Sequence, residues 1–242
     1  MAIHVPRLFT DHHLGIGNNV ILSGKTAHHI QHVLREKSGN PLILFDGLGG
    51  EYTCTIVSIG RHEVEVNING HDPANRESAL NITLGIAILK REAMNTAVRQ
   101  ATELGVTSII PVETDNTSVT RAQFGKRREN WLQVIQSACE QSGRTMLPTL
   151  HEVVDFNQWV KLARGDLKLL ASPLAGTGIK RIVSVPKSIS LLIGPEGGIS
   201  GSEEQRALDA GFVPVSLGSR ILRAETAAAA LLSLMQYRWG DF

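Results

Sequence analysis

Two glycine-rich junctions constrain this chain more than any other part of it. The first is Ile193-Gly194-Pro195-Glu196-Gly197-Gly198-Ile199-Ser200. The second runs from Leu217-Gly218-Ser219-Arg220 through Ile221-Leu222-Arg223-Ala224-Glu225-Thr226-Ala227. Each follows a short apolar run, Ile189 to Ile193 and Phe212 to Leu217, and each leads into a stretch of helical character. Apolar runs of that length, bounded by glycine, read as buried strands. Glycine admits positive φ and lets the backbone come close to a ligand. In an open parallel sheet, ligands sit beyond the carboxyl ends of the strands. Two such loops suggest one ligand held between them; two tight turns without a ligand are the plainer alternative.

The preceding residues share this grammar. Ile82 to Leu89 reads as a strand, and Arg91 to Leu104 as a helix with Met94, Ala97, Val98, Ala101 and Leu104 on one face, stopped by Gly105. Ser108 to Val112 is the next strand. A helix over Gly125 to Ser142 buries Trp131, Val134, Ile135 and Ala138, and another near Asp155 to Leu162 precedes the strand Leu167 to Ala171. Ser200 and Glu203 form a capping box that opens a helix ending at Gly211. The last helix starts near Arg223, and its alanine-rich face suits core packing or contact with a second copy. Alternating strands and helices predict a parallel α/β sheet with right-handed crossovers. Gly176-Thr177-Gly178 does not complete a dinucleotide fingerprint, because Arg181 stands where the third glycine belongs.

Earlier residues differ. Val20 to Leu22, Pro41 to Phe45, Tyr52 to Ile59 and Val64 to Ile68 are short strands, with a helix after Ser23 or Thr26 running through His28, Ile30, Val33 and Leu34. Such strands with glycine turns predict a compact barrel or sandwich. The polar stretch Gly70 to Ser78 reads as a linker, giving a small β domain over 1–72 and an α/β domain over 73–242. His28 and His32 have metal-ligand spacing, but no third ligand accompanies them, so no metal is expected. Cys54 and Cys139 lack the spacing of a metal knuckle or disulfide framework. No apolar run approaches the ~20 residues that span a bilayer, and the first residues do not read as a secretory signal. These features together predict a cytoplasmic protein without membrane contact. The net charge of +1 makes no global case for nucleic acid, although local clusters such as Lys126-Arg127-Arg128 and Arg220 with Arg223 leave RNA open.

The two junctions, with Leu192-Ile193 ahead of the first, resemble the signature of the knotted SPOUT methyltransferases. More narrowly, they resemble the RsmE family. His28-His29-Ile30 with Val33-Leu34-Arg35, Lys90, Thr102-Glu103-Leu104-Gly105-Val106 and Gln141-Ser142-Gly143-Arg144 fall in the same order, so the similarity spans nearly the whole chain. The resemblance implies a PUA-like β-barrel domain followed by a SPOUT-type parallel sheet with a C-terminal trefoil knot. It also implies a homodimer that uses S-adenosyl-L-methionine to methylate N3 of uridine 1498 in 16S rRNA of the small ribosomal subunit. By position, Gly194, Pro195, Glu196, Gly198, Leu217, Gly218, Ile221, Leu222 and Ala227 would line the cofactor site, with Leu170 and Ala171 at its edge. Ala224 and Gln100 depart from the family's usual threonine and lysine.

Methyl transfer to N3 of uracil requires the N3 proton to leave, hence a base or a cation that stabilises the anion. On the resemblance, Arg144 and Arg223 are the expected cations and Glu140 or Glu225 the expected base, although Glu225 could instead pair an arginine. Arg7 and Arg35 would grip RNA backbone, with Gln141 and Ser142 as further RNA contacts. The target base must be unstacked to react. Two other readings share these residues: a SPOUT enzyme acting on ribose 2′-oxygen, and a non-catalytic RNA-binding assembly factor.

Overall fold

The computed structural model describes residues 5–119, 125–173, 175 and 178–242, so Gly176 and Thr177 lie outside the described residues. The chain divides into two units. One comprises the residues up to Glu77 with Gln136–Leu147; the other comprises Ser78–Ile135 and Pro148–Phe242.

The smaller unit holds β1 (Arg7–Phe9), β2 (Asn19–Ser23), β3 (Pro41–Phe45), β4 (Glu51–Ile59) and β5 (Glu63–Asp72), in the order β1-β3-β4-β5-β2. β1 lies parallel to β3, and the other pairs are antiparallel. Alternation along β5 turns Val64, Val66 and Ile68 inward, where they meet Leu22, Leu42, Leu44 and Ile56. Register shifts at Thr53/Cys54 and Ile56/Ser58 bend β4 against β5, and bulges of this kind add twist that curls a sheet. After β2, α1 (Gly24–His28) widens into a π-type turn over His29–Leu34, ending on Arg35 at φ 56°.

A charged cluster ties residues 136–147 to this sheet. Arg7 Nε and Arg76 Nη1 donate to Glu51 Oε2 at 2.9 and 3.0 Å. Arg7 Nη1 and Nη2 donate to the carbonyls of Cys139 and Arg144, each at 2.6 Å. Arg144 Nε and Nη2 reach Glu77 Oε2 at 2.9 and 2.6 Å. These bonds are why the unit runs on to Glu77 rather than ending at Asp72, and why it takes back a segment that helical periodicity assigned to the α/β domain. Partners so distant in sequence leave no trace in local patterning.

Burial pushes the Glu51 carboxyl up, but the hydrogen bonds and charges of Arg76 and Arg7 outweigh it and hold the group below its usual 4.5. A depressed folded-state value contributes stability above the unfolded value, lost as pH falls through the folded one. Urea midpoints of Glu51→Gln and the parent are therefore expected to be furthest apart near neutrality and to converge as the pH falls through the depressed folded-state value of Glu51, below 4.5. A gap independent of pH would show that charge is not what Glu51 contributes.

The larger unit is one parallel sheet. Its strands are β6 (Asn81–Ala87), β7 (Ser108–Glu113), β8 (Thr149–Leu150), β9 (Val154–Asp155), β10 (Leu167–Ala171), β11 (Ser188–Ile193) and β12 (Val213–Val215). Their order is β12-β10-β11-β6-β7-β8, with β9 also on β7, and every pairing is parallel. Two helices, α4 (Phe156–Leu162) and α5 (Gly201–Asp209), contribute Phe156, Trp159 and Ala207 to a core with Val112, Leu170, Leu192 and Phe212. Of the remaining helices, α2 (Arg91–Glu103) packs against α6 (Ala224–Trp239), while α3 (Arg128–Ser142) is shared between the units. Gln236 on α6 donates to the Leu104 carbonyl at 2.8 Å and accepts from Ser78 Oγ, closing the end of α2. The parallel α/β domain and the small curled β sheet expected from the sequence are both present.

Gly85 shows how tightly α4 sits. A Cβ there would lie 2.6 Å from the Trp159 ring. Gly85→Val is expected to cost about 1–3 kcal/mol through overpacking, read as a fall in the denaturant midpoint; no change would mean that Trp159 can move aside freely.

Candidate active site

The site begins with strand order. β10 lies between β11 and β12, with Leu170 level with Leu192 and Ala171 level with Val215. β6 flanks β11, with Ile86 opposite Ile193. Parallel strands bring their carboxyl ends to one edge, so the residues after Ala87, Ala171, Ile193 and Val215 emerge as neighbours.

The loop after β11 is braced from both sides. Gly198 N–H donates to the Pro195 carbonyl at 2.9 Å, and Asn116 Nδ2 donates to the carbonyls of Gly197 and Gly198 at 3.2 and 3.0 Å. A Cβ on Gly194 would meet Ile199 Cγ1 at 2.9 Å, so a larger residue would push the turn apart. Ser200 and Glu203 form the expected capping box at the start of α5. Ser200 Oγ also donates to Asp115 at 2.6 Å, and the buried Glu203 carboxylate accepts from Asp115 N–H at 3.0 Å.

The loop after β12 is open instead. Gly218 has φ 92°, and a Cβ there would meet nothing within 4 Å; the same holds for Gly198 at φ 74°. Ile221 is 85% exposed. An apolar side chain held out beside ungated glycine backbone leaves room for a ligand to cover it. Leu170, Ala171, Gly194, Pro195, Glu196, Gly198, Leu217, Gly218, Ile221, Leu222 and Ala227 all belong to these strand ends, the loops that follow them, or the first turn of α6.

Beside them is a cavity of about 500 Å³ lined by Lys90, Glu92, Thr96, Glu196, Arg223 and Glu225, with Ala93 completing it. Its size falls within the ~300–1,000 Å³ of small-molecule sites. The amino ends of α2 and α6 both contribute: Lys90 and Arg223 are their cap residues, and neither side chain is spent on capping. Helix amino termini carry partial positive charge, so two cations and two helix ends offset three carboxylates around one cavity. Such a mixture can stabilise a developing anion while offering a proton acceptor.

The structure thus brings together Arg223, Glu225 and Glu196 from among the expected residues. It places Arg144 and Glu140 in the other unit, engaged there: Arg144 is 5% exposed and paired with Glu77, while Glu140 Oε1 accepts from Phe9 N–H at 3.0 Å. Burial raises the Glu140 pKa against the pull of that bond and of nearby His29 and Arg7. Arg7 is equally committed, stacking over the Phe45 ring at 3.9 Å besides its bonds to Glu51, Cys139 and Arg144. Arg35, Gln141 and Ser142 are exposed. Lys90, Glu92 and Thr96 were not expected as site residues. Their signal was a third strand–helix junction, at Leu89-Lys90-Arg91, lacking the glycines that drew attention to the other two.

Comparison with known proteins identifies the family of the chain. Residues 76–236 match the model of an RNA methyltransferase domain, and residues 22–69 that of an RNA methyltransferase PUA domain. The chain is 33% identical to a ribosomal RNA small subunit methyltransferase E of Buchnera aphidicola, over 100% of this chain and 99% of that one. Among solved structures, a Neisseria gonorrhoeae ribosomal RNA small subunit methyltransferase E bound to S-adenosyl methionine superposes with TM-score 0.92 at 36% identity, covering 99% of this chain and 100% of that one. A Legionella pneumophila protein in complex with the bound cofactor SAM gives TM-score 0.95 at 36% identity, with the same coverage.

Proposed function

The chain belongs to the ribosomal RNA small subunit methyltransferase E family, and from that premise we propose that it transfers a methyl group from S-adenosyl-L-methionine to N3 of one uridine in 16S rRNA of the small ribosomal subunit. The observation that carries this reading is the convergence of the two glycine loops with a cavity holding Arg223, Lys90 and three carboxylates. The open backbone at Gly198 and Gly218 and the exposed Ile221 suit a cofactor with an apolar face and polar ends. When bound, S-adenosylmethionine supplies a methyl group on a positively charged sulfur, which is released as a neutral thioether. The backbone of 194–198 and 217–222 would hold it, with Leu170 and Ala171 at the edge.

This chain's own residues handle the uracil. Its N3–H proton passes to a carboxylate, for which Glu225 is our choice, and the negative charge left on the ring is stabilised by Arg223 and Lys90. Fixed cations facing developing charge lower a barrier most where water is excluded. Glu196 and Glu92 orient those cations. Arg144, Glu140 and Arg7 act through position, ordering the 136–147 segment so that Gln141 and Ser142 meet RNA, with Arg35 contacting phosphate from the small unit. A homodimer is consistent with the exposed Leu234 and Tyr237 on α6. Free Cys54 and Cys139 thiols, both buried and pushed up to about 11 by burial, suit a protein working in the cytoplasm.

The test is methyl transfer from labelled S-adenosylmethionine to small subunits lacking native modification, followed by identification of the labelled nucleoside. Label in 3-methyluridine at one position is expected. Label on a ribose would move the substrate atom, and cofactor binding without transfer to any RNA would favour a non-catalytic assembly role.

A further inference from the structure

A second cavity, of about 270 Å³, lies within the small unit among residues that the reaction above does not use. Its rim is formed by Leu48, 82% exposed, and Met146, 45% exposed, two apolar side chains brought together by an antiparallel bridge between their backbones. Gly49 forms part of the wall at φ 111°, and a Cβ there would meet nothing within 4 Å, so the wall is bare backbone facing open space. Thr145 also lines the cavity. It is fully buried, and its Oγ1 has no hydrogen-bond partner among the described residues. Buried hydroxyls without partners are rare enough that each needs an explanation. Asn75 Oδ1 accepts from Glu77 N–H at 2.9 Å, which fixes the amide and leaves its NH2 group as a donor at the cavity. The His71 ring, held against Tyr52 with centroids 4.5 Å apart, adds a polar nitrogen.

The occupant must therefore be small, apolar on its faces and polar along its edge. At about 270 Å³ the space is below the usual range of cofactor sites. An unpaired nucleobase has these properties, and single-stranded RNA is read by splaying bases out, packing their faces and bonding their edges. We propose that this cavity holds one unpaired base of the RNA substrate, a base other than the one methylated, and so sets the register of the strand. The inference rests on RNA being the substrate and adds where a non-reacting part of it is gripped.

Two measurements test it. Titrating the full-length protein, labelled at its methionine methyl groups, with hexauridylate and hexaadenylate is expected to shift the Met146 resonance. Met146→Leu assigns that signal, and Thr145→Val, which keeps the shape and removes the hydroxyl, should weaken the fitted affinity about fivefold. Separately, Leu48→Ser combined with Asn75→Ala, both at exposed positions, should raise KM for the small subunit about tenfold with kcat and cofactor affinity unchanged. Oligonucleotide binding that leaves Met146 unmoved, or an unchanged KM, overturns the cavity assignment while leaving the methyltransferase reading intact. A Met146 shift in a protein that methylates no RNA would do the reverse.

Discussion

Arg223→Ala is expected to lower kcat for methyl transfer by about 10²- to 10³-fold, the loss typical when one fixed donor to developing charge is removed. Cofactor affinity should change little. The residue precedes α6, its side chain makes no capping bond, and it is exposed at the cavity, so the fold does not depend on its guanidinium. Single-turnover transfer to unmodified small subunits measures the chemical step, and calorimetry with S-adenosylmethionine measures binding. Arg223→Lys keeps the charge but loses the forked donor geometry, and should recover part of the rate. Equal losses in cofactor affinity and rate would assign Arg223 to cofactor binding instead, and the uracil anion would then fall to Lys90.

The second large effect is on stability. Arg144→Ala is expected to destabilise the protein by about 3–5 kcal/mol, because it strands the Glu77 carboxylate in a buried place. The two side chains are 6% and 13% exposed, and Arg144 meets Glu77 at 2.6 Å. The same change is expected to lower the rate of methyl transfer, so stability and activity must be measured together by denaturant unfolding and single-turnover assay. The double replacement Arg144→Met with Glu77→Leu removes both charges and should recover most of the stability, since apolar residues of similar size often replace a buried pair without loss. If stability returns and activity returns with it, Arg144 acts by ordering residues 136–147. Recovered stability without activity would place its guanidinium on the substrate.

The strands at Pro41–Phe45, Leu167–Ala171 and Ser188–Ile193 were legible because their apolar runs and flanking glycines are local properties. The same is true of the capping box at Ser200 and Glu203, whose two partners are three residues apart. β1 at Arg7–Phe9 was not legible: three residues carry no period, and the strand exists because β3 offers it a parallel edge. The partners of Arg7 and Arg144 were hidden for a related reason. In the sequence an arginine is a mobile cation available for RNA, and nothing nearby reveals that Glu51, Glu77 and two backbone carbonyls will take it.

By itself the sequence determined the parallel α/β grammar, the small β unit and the two glycine loops, each carried by residues within a turn or strand of one another. Only the tertiary structure decided that β10 lies between β11 and β12, which brings separate loops to one edge. It alone joined Lys90, Glu196, Arg223 and Glu225 around one cavity and drew residues 136–147 into the smaller unit. The physical reason is range: propensity, capping and periodicity act over a few residues, whereas strand order and buried ion pairs join groups far apart in the sequence, as Arg7 with Glu51, Arg144 with Glu77 and β6 with β11, and are fixed only when the chain packs.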